Sequence, residues 1–144
     1  MNKILPPLLA LAALFPSACQ HQPTRLIGPD GIQEAIEWTA EEQAKPIAIR
    51  HLHRNADTST HIVRLKGAEP PHYHDRHDLT VTLLSGRSTL HLKDHDIHMG
   101  PGDTAFIPRG VFHWAENTAQ GASEAFVQFT PAFDGKDRRL ADSH

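Results

Sequence analysis

The sequence predicts an all-β domain, either a barrel or a sandwich, and three observations support that prediction. Several short stretches alternate apolar and polar residues, which is the two-residue period of a half-buried strand. Residues typical of turns separate these stretches at intervals of about 8–12 residues, as in sandwiches and barrels. The chain of 144 residues has 39% hydrophobic and 22% charged residues, which is typical of a globular protein with one core.

The predicted strands occupy the middle and the second half of the chain. Their ranges are residues 47–52, 61–65, 79–84, 88–93, 97–99, 104–107, 112–115 and 125–130. Within one of them Leu79, Val81 and Leu83 alternate with threonines, so the three apolar side chains are expected to face the core. Leu90 and Leu92 have the same spacing in the next strand and are expected on one face.

The first 18 residues have the composition of a secretory signal peptide. Lys3 precedes an apolar stretch over residues 4–15, and small residues stand just before Cys19. The apolar stretch is shorter than the roughly 20 residues that cross a bilayer as a helix. The segment resembles a bacterial lipoprotein signal peptide, with Pro16 where leucine is usual, and this implies that Cys19 is lipidated. The resemblance predicts an exported protein, either periplasmic or anchored to the outer membrane.

Two further segments flank the predicted strands. Residues 19–45 are expected to comprise the anchor cysteine, a tether and a short helix. Residues 20–30 form the tether because they contain prolines and a glycine among polar residues, and residues 33–44 form the helix, which Pro46 ends. Residues 132–144 alternate basic and acidic side chains and are expected to be a solvated tail.

The charge argues against a nucleic-acid-binding protein, and the cysteine content excludes a protein with an internal disulfide. The formal net charge is −3, and no run of lysine and arginine forms a phosphate-binding surface, so nucleic acid is not an expected partner. Cys19 is the single cysteine, which excludes an internal disulfide.

The histidines are the strongest functional signal. The chain has 12 histidines, and histidine is the commonest metal ligand in proteins. His72 and His74 are two residues apart after Pro70 and Pro71, so in an extended chain their side chains project to the same side. His113 lies between two aromatic residues of a later strand and is expected to point to the opposite face from them. We predict that these three histidines bind a metal.

Two segments that contain these histidines resemble the two motifs of the cupin superfamily. The first motif matches at His72, His74 and Gly86, with Gly67 one residue closer than usual, and the second matches in full at Gly102, Pro108, Gly110, His113 and Asn117. The resemblance covers residues 46–131 and implies a jelly-roll β-barrel. It also implies one divalent transition metal (Fe, Mn, Ni, Zn or Cu) near the mouth of the barrel, bound by His72, His74 and His113. Pairing into a homodimer is a further implication.

A fourth ligand is left open by the sequence. Cupins usually have a glutamate at the position that Leu79 occupies here. His77 shares the inward parity of Leu79, which favours it, whereas Asp78 fits the shorter motif spacing of some cupins. The third alternative is that neither residue binds, which leaves three histidines.

Two functions follow from the resemblance. The first is a metal-dependent enzyme of the cell envelope that acts on a small molecule as an oxygenase, isomerase or lyase. Its pocket is expected to include Val81, Leu83, Leu90 and Phe106, and the sequence assigns no catalytic residue. The alternative is a non-catalytic, lipid-anchored protein that binds a metal or a small ligand. An enzyme should have a ligand-sized cavity at the metal and an acid–base group near it.

Overall fold

The computed structural model describes residues 23–141, apart from the side chains of residues 32–34. The predicted signal peptide and the predicted lipidation site Cys19 lie outside the described residues. Within residues 23–141 no helix is long and apolar enough to cross a membrane.

The described part of the chain contains twelve strands and one short helix. The first half comprises β1 (Arg25–Gly28), β2 (Gly31–Ala35), α1 (Ala40–Ala44), β3 (Ile47–Arg54), β4 (Ser59–Leu65), β5 (His72–Tyr73) and β6 (Asp78–Ser85). The second half comprises β7 (Ser88–Leu92), β8 (Asp96–Met99), β9 (Thr104–Ile107), β10 (His113–Asn117), β11 (Ser123–Thr130) and β12 (Arg139–Leu140).

Two five-stranded antiparallel sheets form the body of the protein. One sheet has the order β12-β5-β10-β7-β8 and the other has the order β3-β4-β11-β6-β9. The buried apolar cluster takes residues from both sheets, so the sheets pack face to face as in a jelly roll: Leu79, Leu83, Leu90, Met99, Ile107 and Val127. The predicted all-β jelly-roll fold is therefore confirmed. The predicted alternation in β6 is also confirmed, because Leu79 and Leu83 are buried while Val81 packs against the cluster.

The segment before the barrel differs from the prediction in two ways. The predicted tether contains β1, which pairs with β2 in an antiparallel hairpin. Gly31 closes the turn of this hairpin with a φ of 125°, a conformation that residues with a side chain rarely adopt. The predicted helix is confined to five residues, because Thr39 caps it with a bond from the Glu42 backbone N–H at 3.2 Å while Glu42 accepts from the Thr39 N–H at 2.8 Å.

The prediction of a solvated C-terminal tail is wrong. Strand β12 pairs with β5, where Leu140 lies opposite His72, so the tail forms the edge of a sheet. Arg139 donates to both carboxylate oxygens of Asp75 at 2.7 and 2.8 Å. The side chain of Asp137 is only 6% exposed. The tail therefore contributes a buried carboxylate in Asp137 and an exposed ion pair in Arg139, and it is held against β5.

Gly86 lies in the turn between β6 and β7, and we expect its replacement to cause a large loss of stability. Its φ is +79°, and an added Cβ would lie 2.8 Å from the Ser123 Cα. We expect Gly86→Ala to lower the free energy of unfolding by about 3 kcal/mol, because backbone strain and a backbone clash add together. Gly110 has a φ of +78° with nothing within 4 Å of an added Cβ. Gly110→Ala should therefore cost only about 1–2 kcal/mol in denaturant unfolding, and equal losses in the two variants would contradict the clash.

Candidate metal centre

Three histidines converge because of the register of one sheet. His113 of β10 lies directly opposite His72 of β5, so their side chains project to the same side of the ladder. His74 follows two residues after His72, and its ring lies 4.9 Å from the His72 ring and 5.6 Å from the His113 ring, between centroids. One ring nitrogen from each of the three lies within 4.8 Å of the others, and all three residues are buried. We call this group the histidine triad.

Backbone carbonyls determine which nitrogen of each histidine is free. The Nδ1–H of His72 donates to the Pro70 carbonyl at 2.8 Å, and that of His113 donates to the Val111 carbonyl at 2.9 Å. His74 donates from Nδ1 to the carbonyl of Asp137. Each Nε2 therefore has its lone pair available, which is the arrangement by which proteins fix metal-binding histidines.

The electrostatic environment keeps the triad neutral. Burial lowers the pKa of His72 to about 3 and that of His74 to about 4. Burial also lowers the pKa of His113. Neutral imidazole is the form that coordinates metals, and imidazole nitrogens suit Zn, Cu, Fe and Ni. The donor set therefore fits a divalent transition metal.

Neither proposed fourth ligand joins the triad. His77 is 3% exposed, as its parity predicts, but its Nδ1 donates to Asp137 Oδ2 at 2.5 Å and its Nε2 faces the Ala132 carbonyl at 3.3 Å. Asp78 accepts from the Arg109 side chain at 2.8 and 3.1 Å, and this hydrogen bonding lowers its pKa to about 2. Among the described residues, the group that can hold a metal consists of the three histidines alone.

Asp137 connects the tail to the triad, and the sequence analysis assigned it no role. Besides its carbonyl bond to His74, its carboxylate accepts from the backbone N–H of Asp75 at 3.1 Å, from that of Arg76 at 2.8 Å and from His77. Burial opposes the charge of this carboxylate, but the His77 and Arg76 bonds lower its pKa to about 2. No local sequence signal marks Asp137, because these partners lie about 60 residues earlier in the chain.

A cavity of about 280 Å³ opens onto the triad between the two sheets. This volume is close to the lower end of the range for small-molecule sites, about 300–1,000 Å³. Val81, Leu83 and Leu90 line it as predicted. Phe106 does not, because its side chain lies on the outer face of β9 and is 65% exposed. Phe129 and Phe133 form an aromatic wall behind His74, with ring centroids 5.2 and 5.5 Å from its ring.

Two charged residues that the sequence analysis did not single out also line the cavity. Glu69 accepts from the Ala115 backbone N–H at 3.1 Å, and burial raises the pKa of its carboxyl group. Its other oxygen lies 4.0 Å from a guanidinium nitrogen of Arg138, which comes from the C-terminal tail. The cavity therefore contains an acid–base group and a cation beside the triad.

His61 is a buried histidine outside the triad, and we expect it to make the folded protein less stable in acid. His61 is 2% exposed, and burial lowers its pKa to about 4. The Phe133 N–H donates to Ser59 Oγ, which also lies 3.0 Å from His61 Nε2, and Nδ1 has no partner among the described residues. The unfolded chain takes up a proton near pH 6.5 and the folded chain only near pH 4. Stability should therefore fall as the pH decreases through this interval.

The variant His61→Gln isolates this effect, because glutamine keeps a partner for Ser59 and does not titrate. We expect wild type to lose about 1–2 kcal/mol more than the variant between pH 7 and pH 4.5, which is part of the roughly 3 kcal/mol that a shift from 6.5 to about 4 represents at about 1.4 kcal/mol per pH unit. Urea unfolding of metal-free protein at both pH values gives the comparison. Parallel losses in wild type and variant would contradict the assignment.

Comparison with known proteins identifies the matching family and fold. A family model described as a cupin domain matches residues 61–129. An uncharacterized protein of Aquifex aeolicus (strain VF5) is 36% identical over 114 residues, which is 78% of this chain and 93% of that protein.

Two solved structures illustrate the fold. KdgF from Halomonas sp. is 24% identical with a TM-score of 0.59, over 62% of this chain and 84% of that one. The polyketide cyclase RemF from Streptomyces resistomycificus is 23% identical with a TM-score of 0.60, over 71% of this chain and 75% of that one.

Proposed function

The chain belongs to the cupin superfamily, and on that premise we propose that it binds one divalent transition metal and acts on a small molecule there. The observation that carries the proposal is the histidine triad with all three Nδ1–H groups held by backbone carbonyls. This arrangement leaves three Nε2 lone pairs available beside one cavity, on ring nitrogens within 4.8 Å of one another, which is the donor set of a metal site with open positions.

The cavity favours a protein that binds a small molecule at its metal over a protein that only stores the metal. Four protein ligands would saturate the metal and a closed barrel would exclude a small molecule, whereas here three histidines face about 280 Å³ of space. A small-molecule ligand would be enclosed by apolar residues of both sheets and held by few polar groups. The relatives of known structure include an enzyme described as a polyketide cyclase, which supports a catalytic reading of the same fold.

The residues of the chain would divide the chemistry between them. A bound metal supplies Lewis acidity, which polarises an oxygen of the ligand. Glu69 would donate or accept a proton, because its partly buried carboxyl group has a raised pKa and borders the same cavity. The aromatic wall of Phe129 and Phe133 would keep water from the side of His74. Oxygenase, isomerase and lyase reactions are all compatible with these groups.

The proposal extends to location. The composition of residues 1–18 supports export, and Cys19 behind small residues supports a lipid anchor. A periplasmic or outer-membrane-anchored protein would then use its cavity in the cell envelope. Expression in a bacterial host should leave wild type in the membrane fraction and Cys19→Ser outside it, and recovery of wild type in the cytoplasm would contradict export.

Metal content is the direct test of the proposed function. Wild-type protein purified without chelator and dialysed against metal-free buffer is expected to retain one equivalent of transition metal by elemental analysis. Metal-stripped protein should take up one equivalent of Co²⁺ or Zn²⁺ in a calorimetric titration, and His77→Ala and Asp78→Ala should each keep this stoichiometry. Absence of binding to wild type would reject the proposal, and loss in either variant would restore that residue as a ligand.

A further inference from the structure

Arg138 introduces a positive charge into a mainly apolar cavity. Among the described residues that line the cavity, it is the one lysine or arginine. Its charge acts on His72 and His113 and contributes to lowering the pKa of both, so the guanidinium lies beside the triad. A cation next to a metal site weakens metal binding, and its presence there calls for an explanation.

The backbone on both sides of Arg138 is fixed to the rest of the protein. The preceding residue, Asp137, binds the N–H groups of Asp75 and Arg76, and the following residue, Arg139, pairs with Tyr73 of β5. The side chain of Arg138 is 35% exposed, but its backbone is not that of a free tail. It is held over the cavity by the same contacts that support His74.

The donors of Arg138 are available. The structure assigns it no hydrogen bond to any described residue, and its contact with Glu69 Oε1, at 4.0 Å, is longer than a hydrogen bond. A guanidinium carries five N–H donors in a planar fork that matches a carboxylate. Glu69 is close enough to orient the guanidinium electrostatically without consuming its donors.

We propose that Arg138 anchors the carboxylate of a small organic acid whose apolar body fills the cavity beside the triad. The apolar body would contact residues of both sheets, among them Val63, Leu83, Leu90 and Val127. With a divalent metal bound, the metal and Arg138 together outweigh the negative charge of Glu69, so an anionic ligand is attracted. A carboxylate fits better than a phosphate, because the Glu69 carboxylate beside the single arginine repels a dianion more strongly than a monoanion.

This inference rests on the proposed small-molecule role and names the substrate class of the same cavity. Glu69 leaves the Arg138 donors available but opposes the charge of a bound carboxylate, in addition to any role in proton transfer. Removing the Glu69 charge should therefore not weaken ligand binding, whereas a purely structural ion pair would make the two residues equivalent. That difference makes the proposal testable.

The test compares isocaproate with its neutral isostere isocaproamide on wild type, Arg138→Gln, Glu69→Gln and the control Arg87→Gln. Arg87 is an exposed arginine of the β6–β7 turn, outside the cavity lining. Calorimetry and ligand-observed NMR are run on metal-free protein and on protein loaded with Zn²⁺. Zn²⁺ affinity is measured separately for every variant, so failure of the metal site is recognised independently of the anion site.

Wild type is expected to prefer isocaproate over isocaproamide. Arg138→Gln should bind isocaproate about 10- to 100-fold more weakly, which is the effect of losing a charge-assisted pair of hydrogen bonds, and should bind isocaproamide unchanged. Glu69→Gln should bind isocaproate as tightly as wild type or more tightly, and Arg87→Gln should match wild type. Zn²⁺ affinity in Arg138→Gln should equal or exceed that of wild type.

Three outcomes would overturn the proposal. They are wild type without measurable isocaproate binding at millimolar concentration in either metal state, Arg138→Gln with undiminished preference for the acid, and Glu69→Gln with a loss equal to that of Arg138→Gln. If Zn²⁺ does not bind wild type but the metal-free protein discriminates acid from amide through Arg138, the metal proposal fails and the carboxylate site stands.

Discussion

Replacing His113 with alanine is expected to weaken metal binding by two to three orders of magnitude. A structural zinc site with four ligands contributes about 10–16 kcal/mol of apparent binding free energy, or roughly 3 kcal/mol per ligand. The triad has only three protein ligands, and His113 supplies one of them from β10, whereas His72 and His74 lie two residues apart on one segment. Its removal leaves His72 and His74 on one extended segment, and two histidines bind metals weakly.

The readouts for His113→Ala are calorimetric metal titration and the metal-dependent rise in melting temperature. For wild type, metal at 100 times the dissociation constant should add about 2.7 kcal/mol to the free energy of unfolding, and for the variant almost nothing. His95→Ala is the matched control, because His95 lies exposed in the β7–β8 turn. Wild-type metal affinity in His113→Ala would show that the triad is not the site.

The triad could be predicted from the sequence because its determinants are local. The shared direction of the His72 and His74 side chains depends on their two-residue spacing in an extended chain. The inward direction of His113 depends on alternation with Phe112 and Trp114. The structure has Trp114 stacked on His91, at 4.2 Å between ring centroids, while His113 is buried on the other face. Alternation determines the face of a strand, and the register of β5 with β10 then brings the rings together.

The surroundings of the triad depend on pairing between distant segments, and sequence patterns do not reveal such pairing. Parity correctly predicted that His77 is buried, but its partner Asp137 lies 60 residues later in what resembled a solvated tail. Alternating charges are typical of exposed segments. Here the same pattern supplies a buried acceptor in Asp137, a cavity cation in Arg138 and an ion pair from Arg139 to Asp75.

The N-terminal segment illustrates the same limit on a smaller scale. The acidic composition of residues 33–44 favours a helix, but residues up to Ala35 pair with β1 and only Ala40–Ala44 are helical. Helix propensity is a weak determinant in so short a segment, since hydrogen bonds to a neighbouring strand replace those of a helical turn. The capping box of Thr39 and Glu42 fixes the helix start in the structure, and the prediction of a helix from residue 33 did not take it into account.

Replacing Asp137 with alanine is expected to destabilise the protein by about 3–5 kcal/mol, because each buried donor left without its acceptor costs about 1–3 kcal/mol. Three donors lose their acceptor at once, namely the backbone N–H groups of Asp75 and Arg76 and the ring of His77. The tail would also detach from the segment that carries His74. Metal affinity should therefore fall about 10- to 100-fold, as is typical when a group that orients a ligand is removed.

Two further variants are compared with Asp137→Ala. Asp137→Asn tests the charge of the carboxylate with little change in packing, and Asp134→Ala tests another residue of the same tail. Asparagine keeps one acceptor oxygen in the same place, so that variant should lie between alanine and wild type in both stability and metal affinity. Asp134 is an exposed residue of the same tail whose carboxylate pairs with Arg76 at 3.0 Å, and its loss should leave metal affinity unchanged. Denaturant unfolding and calorimetric Zn²⁺ titration measure both quantities on the same samples. If Asp137→Ala lost stability but retained full metal affinity, the tail would serve the fold alone, because the position of His74 would then not depend on Asp137.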